Sequence, residues 1–194
     1  MPLKDVLVDE LRDMYSAESQ LVKALPKLAK GAKNAKLKEL FTAHLEETKG
    51  QVERLKEAFG RLEERPTGEH CNGMEGIVEE GKNALEKDEE GASFDVGLIG
   101  AALRTEHYEI AAYQATIAMA KTLGMQDVID LLTENLNEEM AAAAKITEAA
   151  KPILLESSEQ PEERKKPRSA KDKSSTQKSR EDERAAGGMR KRAS

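Results

Sequence analysis

Residues 7–28 read LVDELRDMYSAESQLVKALPKL. Leu7, Leu11, Met14, Leu21, Leu25 and Leu28 recur at alternating spacings of four and three, the stripe of an amphipathic helix, and Glu18 occupies the one place in that stripe where an apolar residue is missing. The helix this predicts starts beside Pro2, which is tolerated in a first turn. Pro26 is expected to bend it before it closes at Gly31.

The same rhythm recurs three times. Leu37, Phe41, His44, Thr48, Gln51, Leu55 and Ala58, flanked by Leu40 and Glu47, predict a second helix over 34–64. Pro66, Gly68, Asn72 and Gly73 break the pattern, and Met74, Ile77, Val78 and Leu85 then outline a shorter helix ending around Glu89-Glu90-Gly91. Ile99, Ala102, Leu103, Glu106, Glu109, Ile110, Tyr113, Ile117 and Ala120 predict a long helix that begins near Ser93 or Asp95 and is ended by Gly124. Val128, Leu132, Leu136, Glu139, Ala143 and Ile146 predict another, starting at Gln126-Asp127, with Pro152 near its end. Long helices of roughly 25–30 residues are about 40 Å long at 1.5 Å per residue. Short links within each pair and a long one between pairs describe an all-α four-helix bundle with one crossover that carries an extra short helix.

Composition agrees. The 194 residues are 35% charged and 3% aromatic with no Trp, which leaves too few β-branched and aromatic runs for a β-rich fold. No run of about 18 apolar residues and no signal pattern is present, so a soluble, cytoplasmic protein is expected. Cys71 is the only cysteine, so an internal disulfide and a cysteine-based zinc site are both excluded. Any metal must be held by carboxylates and histidine. Residues 1–156 carry 19 basic and 30 acidic side chains, whereas 157–194 carry 12 and 7 and almost no aliphatic residues. The expected organisation is a helical bundle over 1–156 and a basic disordered tail over 157–194. The tail clusters Arg164-Lys165-Lys166-Pro167-Arg168 and Arg190-Lys191-Arg192 suit either a solvating segment or weak nonspecific contact with nucleic acid, without aromatics for base stacking. No nucleophile motif or phosphate loop points to a hydrolase.

The residues that break the stripes from inside carry the functional signal. Glu18, Glu106 and Glu139 fall between apolar neighbours on three different helices, and His44 and Glu47 share a face one turn apart on the fourth. Buried carboxylates without a counter-charge cost several kcal/mol each, and a divalent cation is the simplest remedy. Oxygen donors with one imidazole suit iron or manganese. The alternative is that a phase error of one residue makes some of these solvated, with His44 an ordinary hydrogen-bonded core histidine. Glu109 is either a further ligand or a boundary residue, and Glu138 is weaker than Glu139 because its helical neighbours are more polar. Tyr15 and Tyr113 read as core residues with a hydroxyl partner. His70 and Cys71 read as loop residues, and His107 points about 100° away from Glu106, toward a neighbouring helix or a partner subunit.

Tyr15-Ser-Ala-Glu18-Ser-Gln-Leu21, Leu25-Pro26-Lys27-Leu28, His44-Leu-Glu-Glu47-Thr48 with Val52-Glu-Arg-Leu55, Met74-Glu-Gly76-Ile77 and Glu106-His107-Tyr108-Glu109-Ile110-Ala-Ala-Tyr113 together resemble the ferritin-like superfamily and, within it, the bacterial YciE/YciF-type stress proteins. The resemblance covers residues 1 to about 155. It implies a homodimer, a dinuclear metal site and a role in stress responses. The wider ferritin-like pattern takes one Glu from each of two helices and Glu-x-x-His from each of the other two. Here Glu18 and Glu106 fill the single-Glu positions, His44-x-x-Glu47 runs in reverse order, and Ala142 stands three residues after Glu139 where a histidine would be. The ligand set expected is Glu18, His44, Glu47, Glu106, Glu109 and Glu139. The expected function is a metal-binding stress protein that limits oxidative damage by sequestering metal or consuming peroxide. The alternatives are a non-enzymatic dimeric scaffold with a vestigial site, and a DNA-associating protein acting through its tail.

Overall fold

The structure is a computed structural model, and it describes residues 1–87 and 92–159. Its helices are α1 (Leu3–Gly31), α2 (Ala35–Arg61), α3 (Asn72–Leu85), α4 (Ala92–Thr122) and α5 (Gln126–Glu159). All described residues belong to one compact unit. The expected tail starts at Ser157, but Ser157, Ser158 and Glu159 still belong to α5; the rest of it, both basic clusters included, lies outside the described residues.

Local chemistry places most of the boundaries. The Asn34 side chain caps α2 by accepting from the backbone N–H groups of Lys36 and Leu37 at 2.9 and 3.2 Å. Asp95, in the first turn of α4, accepts from the N–H groups of Lys33 and Asn34 at 3.0 and 2.7 Å and so ties the α1–α2 turn to the start of the second hairpin. α2 stops at Arg61 rather than Glu64, because the chain turns at Leu62 and Glu63 takes a left-handed φ of 59°. α3 ends at Leu85, short of the expected Glu89-Glu90-Gly91, and residues 88–91 lie outside the described residues. Gly124, at φ 70°, supplies the left-handed residue between α4 and α5. Pro152 does not end α5: the helix continues to Glu159, where the Ser157 hydroxyl lies 2.8 Å from that of Ser93.

The pairings define the bundle. Met14 meets Thr116 and Glu18 meets Tyr113, while the other end of α1 meets Asp95, so α1 and α4 are antiparallel. Glu47 faces Lys145 and Gln51 faces Glu139, so α2 and α5 are antiparallel too. α3 returns the chain along the bundle and packs on α1 and α4. This is the ferritin-like arrangement with one crossover.

The core has two apolar halves. One contains Leu21, Leu25, Leu37, Phe41, Leu98, Ala102 and Ile146; the other contains Leu7, Leu11, Met14, Leu55, Phe59, Ile117 and Leu132. Burying side chains of this size contributes about 1.5–3 kcal/mol each. Between the halves, every long helix switches to polar residues: Glu18 on α1, His44, Thr48 and Gln51 on α2, Glu106 and Glu109 on α4, Asn135 and Glu139 on α5, all buried.

Candidate metal centre

Four of the expected residues converge in that layer. His44, Glu106, Glu109 and Glu139 each offer a ligand atom, and these atoms all lie within 4.8 Å of one another. His44 Nε2 is 3.5 Å from Glu106 Oε1 and 3.8 Å from Glu139 Oε2. Glu18 lies in the same layer beside Glu109 and faces it from α1 without joining the group of four. Glu47 stands further out and is half-buried; its Oε2 lies 3.3 Å from His44 Nδ1, and its Oε1 accepts from Lys145 at 3.2 Å.

A second ring of polar side chains holds the first. The Tyr113 hydroxyl donates to Glu18 Oε1 and accepts from Asn135 Nδ2 at 2.8 Å. Arg54 in turn donates to Asn135 Oδ1, to Glu138 and, at 3.0 Å, to Glu134. Gln51 Nε2 donates to Glu139 Oε1. In this layer the buried atoms left without a hydrogen-bond partner are Glu18 Oε2, His44 Nε2, Gln51 Oε1, Glu106 Oε2, Glu139 Oε2 and both oxygens of Glu109.

Buried polar atoms are nearly always satisfied, so this concentration of orphaned acceptors in one layer is compatible with a cation site. The donor chemistry fits as well: carboxylate oxygens with one imidazole suit intermediate or hard divalent ions. With the His44 proton on Nδ1 and donated to Glu47, Nε2 presents its lone pair inward, the usual support for a metal-binding histidine.

Burial and mutual repulsion shift the carboxylates of this layer. Burial, then the neighbouring carboxylate Glu139, pushes Glu18 and Glu106 well above the usual carboxylate range. Burial and the charges of Glu18, Glu139 and Glu106 do the same to Glu109. Glu47 moves the other way, to about 2, because its bond to His44 and its pairing with Lys145 outweigh its partial burial.

The remaining residues take structural places. Tyr15 packs edge-on against Phe59, with ring centroids 6.2 Å apart. Cys71 is buried at the start of α3, 3.0 Å from the Tyr108 hydroxyl, while His70 pairs with Glu75 at 2.9 Å on the surface. His107 is exposed. Sequence reasoning missed Gln51, Asn135 and Arg54 as supports. Gln51 stood in the stripe as a polar residue, which was a usable signal. Asn135 was masked by Leu136, which was assigned inward but is only half-buried.

A family model described as a domain of unknown function (DUF892) matches residues 2–159. Protein YciF of Escherichia coli K12 is 42% identical over 151 residues, which cover 76% of this chain and 90% of YciF. The chain belongs to the YciF-type family. The crystal structure of the E. coli stress protein YciF superimposes with a TM-score of 0.77 at 40% identity, covering 79% of this chain and 98% of that one. YcfI of Rhodopseudomonas palustris gives 0.73 at 41% identity, covering 76% and 94%.

Proposed function

We propose that this YciF-type protein binds iron or manganese between its four long helices and serves in a stress response by sequestering that metal or using it to consume peroxide. The observation that carries the reading is the set of orphaned inward atoms on Glu18, His44, Glu106, Glu109 and Glu139, most of these residues pinned from outside by a partner of its own. These five residues would hold the metal. Glu47 orients His44, Tyr113 orients Glu18 and Gln51 orients Glu139. Four carboxylates balance the charge of up to two divalent ions. A bound iron or manganese ion supplies Lewis acidity and one-electron chemistry; the protein contributes a dry, anionic layer closed above and below by apolar side chains.

Elemental analysis of untagged protein reconstituted with Fe(II) or Mn(II), beside a Glu106→Gln/Glu139→Gln variant, tests this. One or two ions per folded chain, lost in the variant, is the expected result. No metal in either, with both folded, refutes it. A second reading, a scaffold with a vestigial site, is favoured by Ala142 in the place of the fourth-helix histidine. Homodimer formation belongs to both readings; Met140, Leu154 and Leu155 are exposed on α5, and sedimentation velocity decides it.

A further inference from the structure

The centre is closed on one side and thinly closed on the other. Over α1 and α4 the crossover lies like a cover: the Ser16 hydroxyl accepts from the Cys71 N–H at 3.0 Å, and Gly73 approaches Tyr108 so closely that a Cβ there would lie 2.8 Å from its ring. Across the bundle, between α2 and α5, a cleft of about 20 Å³ is lined by Phe41, His44, Glu47, Ala142, Lys145 and Ile146, among others. That is room for about one water-sized species. Its floor is the imidazole whose Nε2 faces the carboxylates, and His44 is the most exposed residue of the centre, at 5% against 0% for Glu18 and Glu139. Ala142 contributes only a methyl group to the wall, so the absent histidine leaves space at this level. At the mouth Glu47 joins outside to inside, with one oxygen on Lys145 and the other on His44.

We propose that this α2–α5 cleft at Ala142 is the route by which a divalent cation reaches the buried centre, with the Glu47 carboxylate receiving the ion at the mouth and Lys145 competing for that carboxylate. The inference rests on the metal-binding reading. A carboxylate is the group that can replace water in the shell of an arriving cation, and a neighbouring ammonium both repels the ion and occupies the oxygen it needs. Lys145 is exposed enough to swing away, whereas the walls above and below are packed apolar core.

The test is stopped-flow mixing of metal-free full-length protein with Co(II), followed by its visible absorption, for wild type, Ala142→Val and Lys145→Ala, with final cobalt content measured for each. Ala142→Val, which fills the cleft, is expected to slow uptake at least ~10-fold with unchanged final content. Lys145→Ala is expected to speed uptake several-fold at low ionic strength, an advantage that shrinks toward about 1 M salt, where exposed charges are screened within about 3 Å. Wild type that loads while both variants load at its rate overturns the route and leaves the centre standing; wild type that takes up no Co(II) overturns both. Circular dichroism checks folding. Should Ala142→Val fail to fold, Lys145→Ala, on an exposed side chain, decides alone, and a wild-type rate at low salt overturns the proposal.

Discussion

Glu109 offers the sharpest test of whether the polar layer is held at a cost to the metal-free fold. It is buried, neither of its oxygens has a hydrogen-bond partner, and ligand atoms of His44, Glu106 and Glu139 lie within 4.8 Å of it. Two like charges 4.8 Å apart repel by about 3.5 kcal/mol at an effective dielectric near 20. Protonation relieves part of this, at about 1.4 kcal/mol per pH unit between the shifted pKa and the solution. Glu109→Gln, which keeps the shape and removes the charge, should therefore stabilise the metal-free protein at neutral pH by about 1–3 kcal/mol. In a chain of this length that corresponds to a rise of roughly 2–12 °C in Tm.

The pH dependence has a definite sign. The folded pKa is raised above the unfolded value near 4.5, so the metal-free fold binds this proton more tightly than the unfolded chain does. Wild-type stability attributable to Glu109 is intact below about pH 4.5 and falls as pH rises toward the shifted pKa. The variant lacks that decline, so its advantage should be small at pH 5 and larger at pH 8. Saturating Mn(II) should reverse the order, since an ion at 100 times its Kd adds about 2.7 kcal/mol to whichever protein binds it. Calorimetry with chelator and with Mn(II), at pH 5, 7 and 8, measures all of this. A variant no more stable than wild type with chelator at pH 8 refutes the reasoning.

Three further outcomes follow from the surroundings of the layer. Tyr113→Phe leaves Glu18 Oε1 and Asn135 Nδ2 without the hydroxyl that joins them, and should weaken Co(II) binding by about 10–100-fold in a competition titration; an unchanged Kd would deny Tyr113 a positioning role. Glu47 titrates near 2 in the fold, so its contribution is present above about pH 4.5 and lost as pH falls toward 2; Glu47→Gln should flatten the acid limb of the stability profile, and parallel acid-unfolding curves would contradict that. Asp95→Ala removes the acceptor for two backbone N–H groups at the α1–α2 turn and should cost about 1–3 kcal/mol in urea unfolding without altering metal content.

The bundle was legible because its stripes are long and regular. Leu7, Leu11, Met14, Leu21 and Leu25 are all buried as their spacing predicts, and Glu18 is buried with them because its neighbours on the stripe leave it no other face. Spacing alone could not rank residues three apart. Glu106 and Glu109 both turn inward, since α4 is covered by α1, α3 and α5; Glu47 sits half outside, in the cleft between α2 and α5 where it pairs with Lys145. The same angular ambiguity hid Asn135 behind Leu136. Pro152, expected near the end of the last helix, lies inside α5, which runs on to Glu159 with Ile153 buried beyond the proline and Pro152 itself exposed.

The distribution of partners within the layer favours the proposed metal centre over a merely polar core. A network kept for structural specificity would be closed, each acceptor meeting a donor, because a half-satisfied buried network is less stable than an apolar one. Here the condition is met in part: Tyr113 donates to Glu18 Oε1 and Gln51 to Glu139 Oε1, while Asn135 donates to the Tyr113 hydroxyl and Arg54 to Asn135 Oδ1. The inner atoms violate it on all four long helices at one level. Two apolar halves adjoin this level. On the metal-binding reading proposed above, a cation at the centre of the layer would meet these unpartnered atoms, while Arg54 is engaged by Asn135, Glu134 and Glu138 and Lys145 by Glu47.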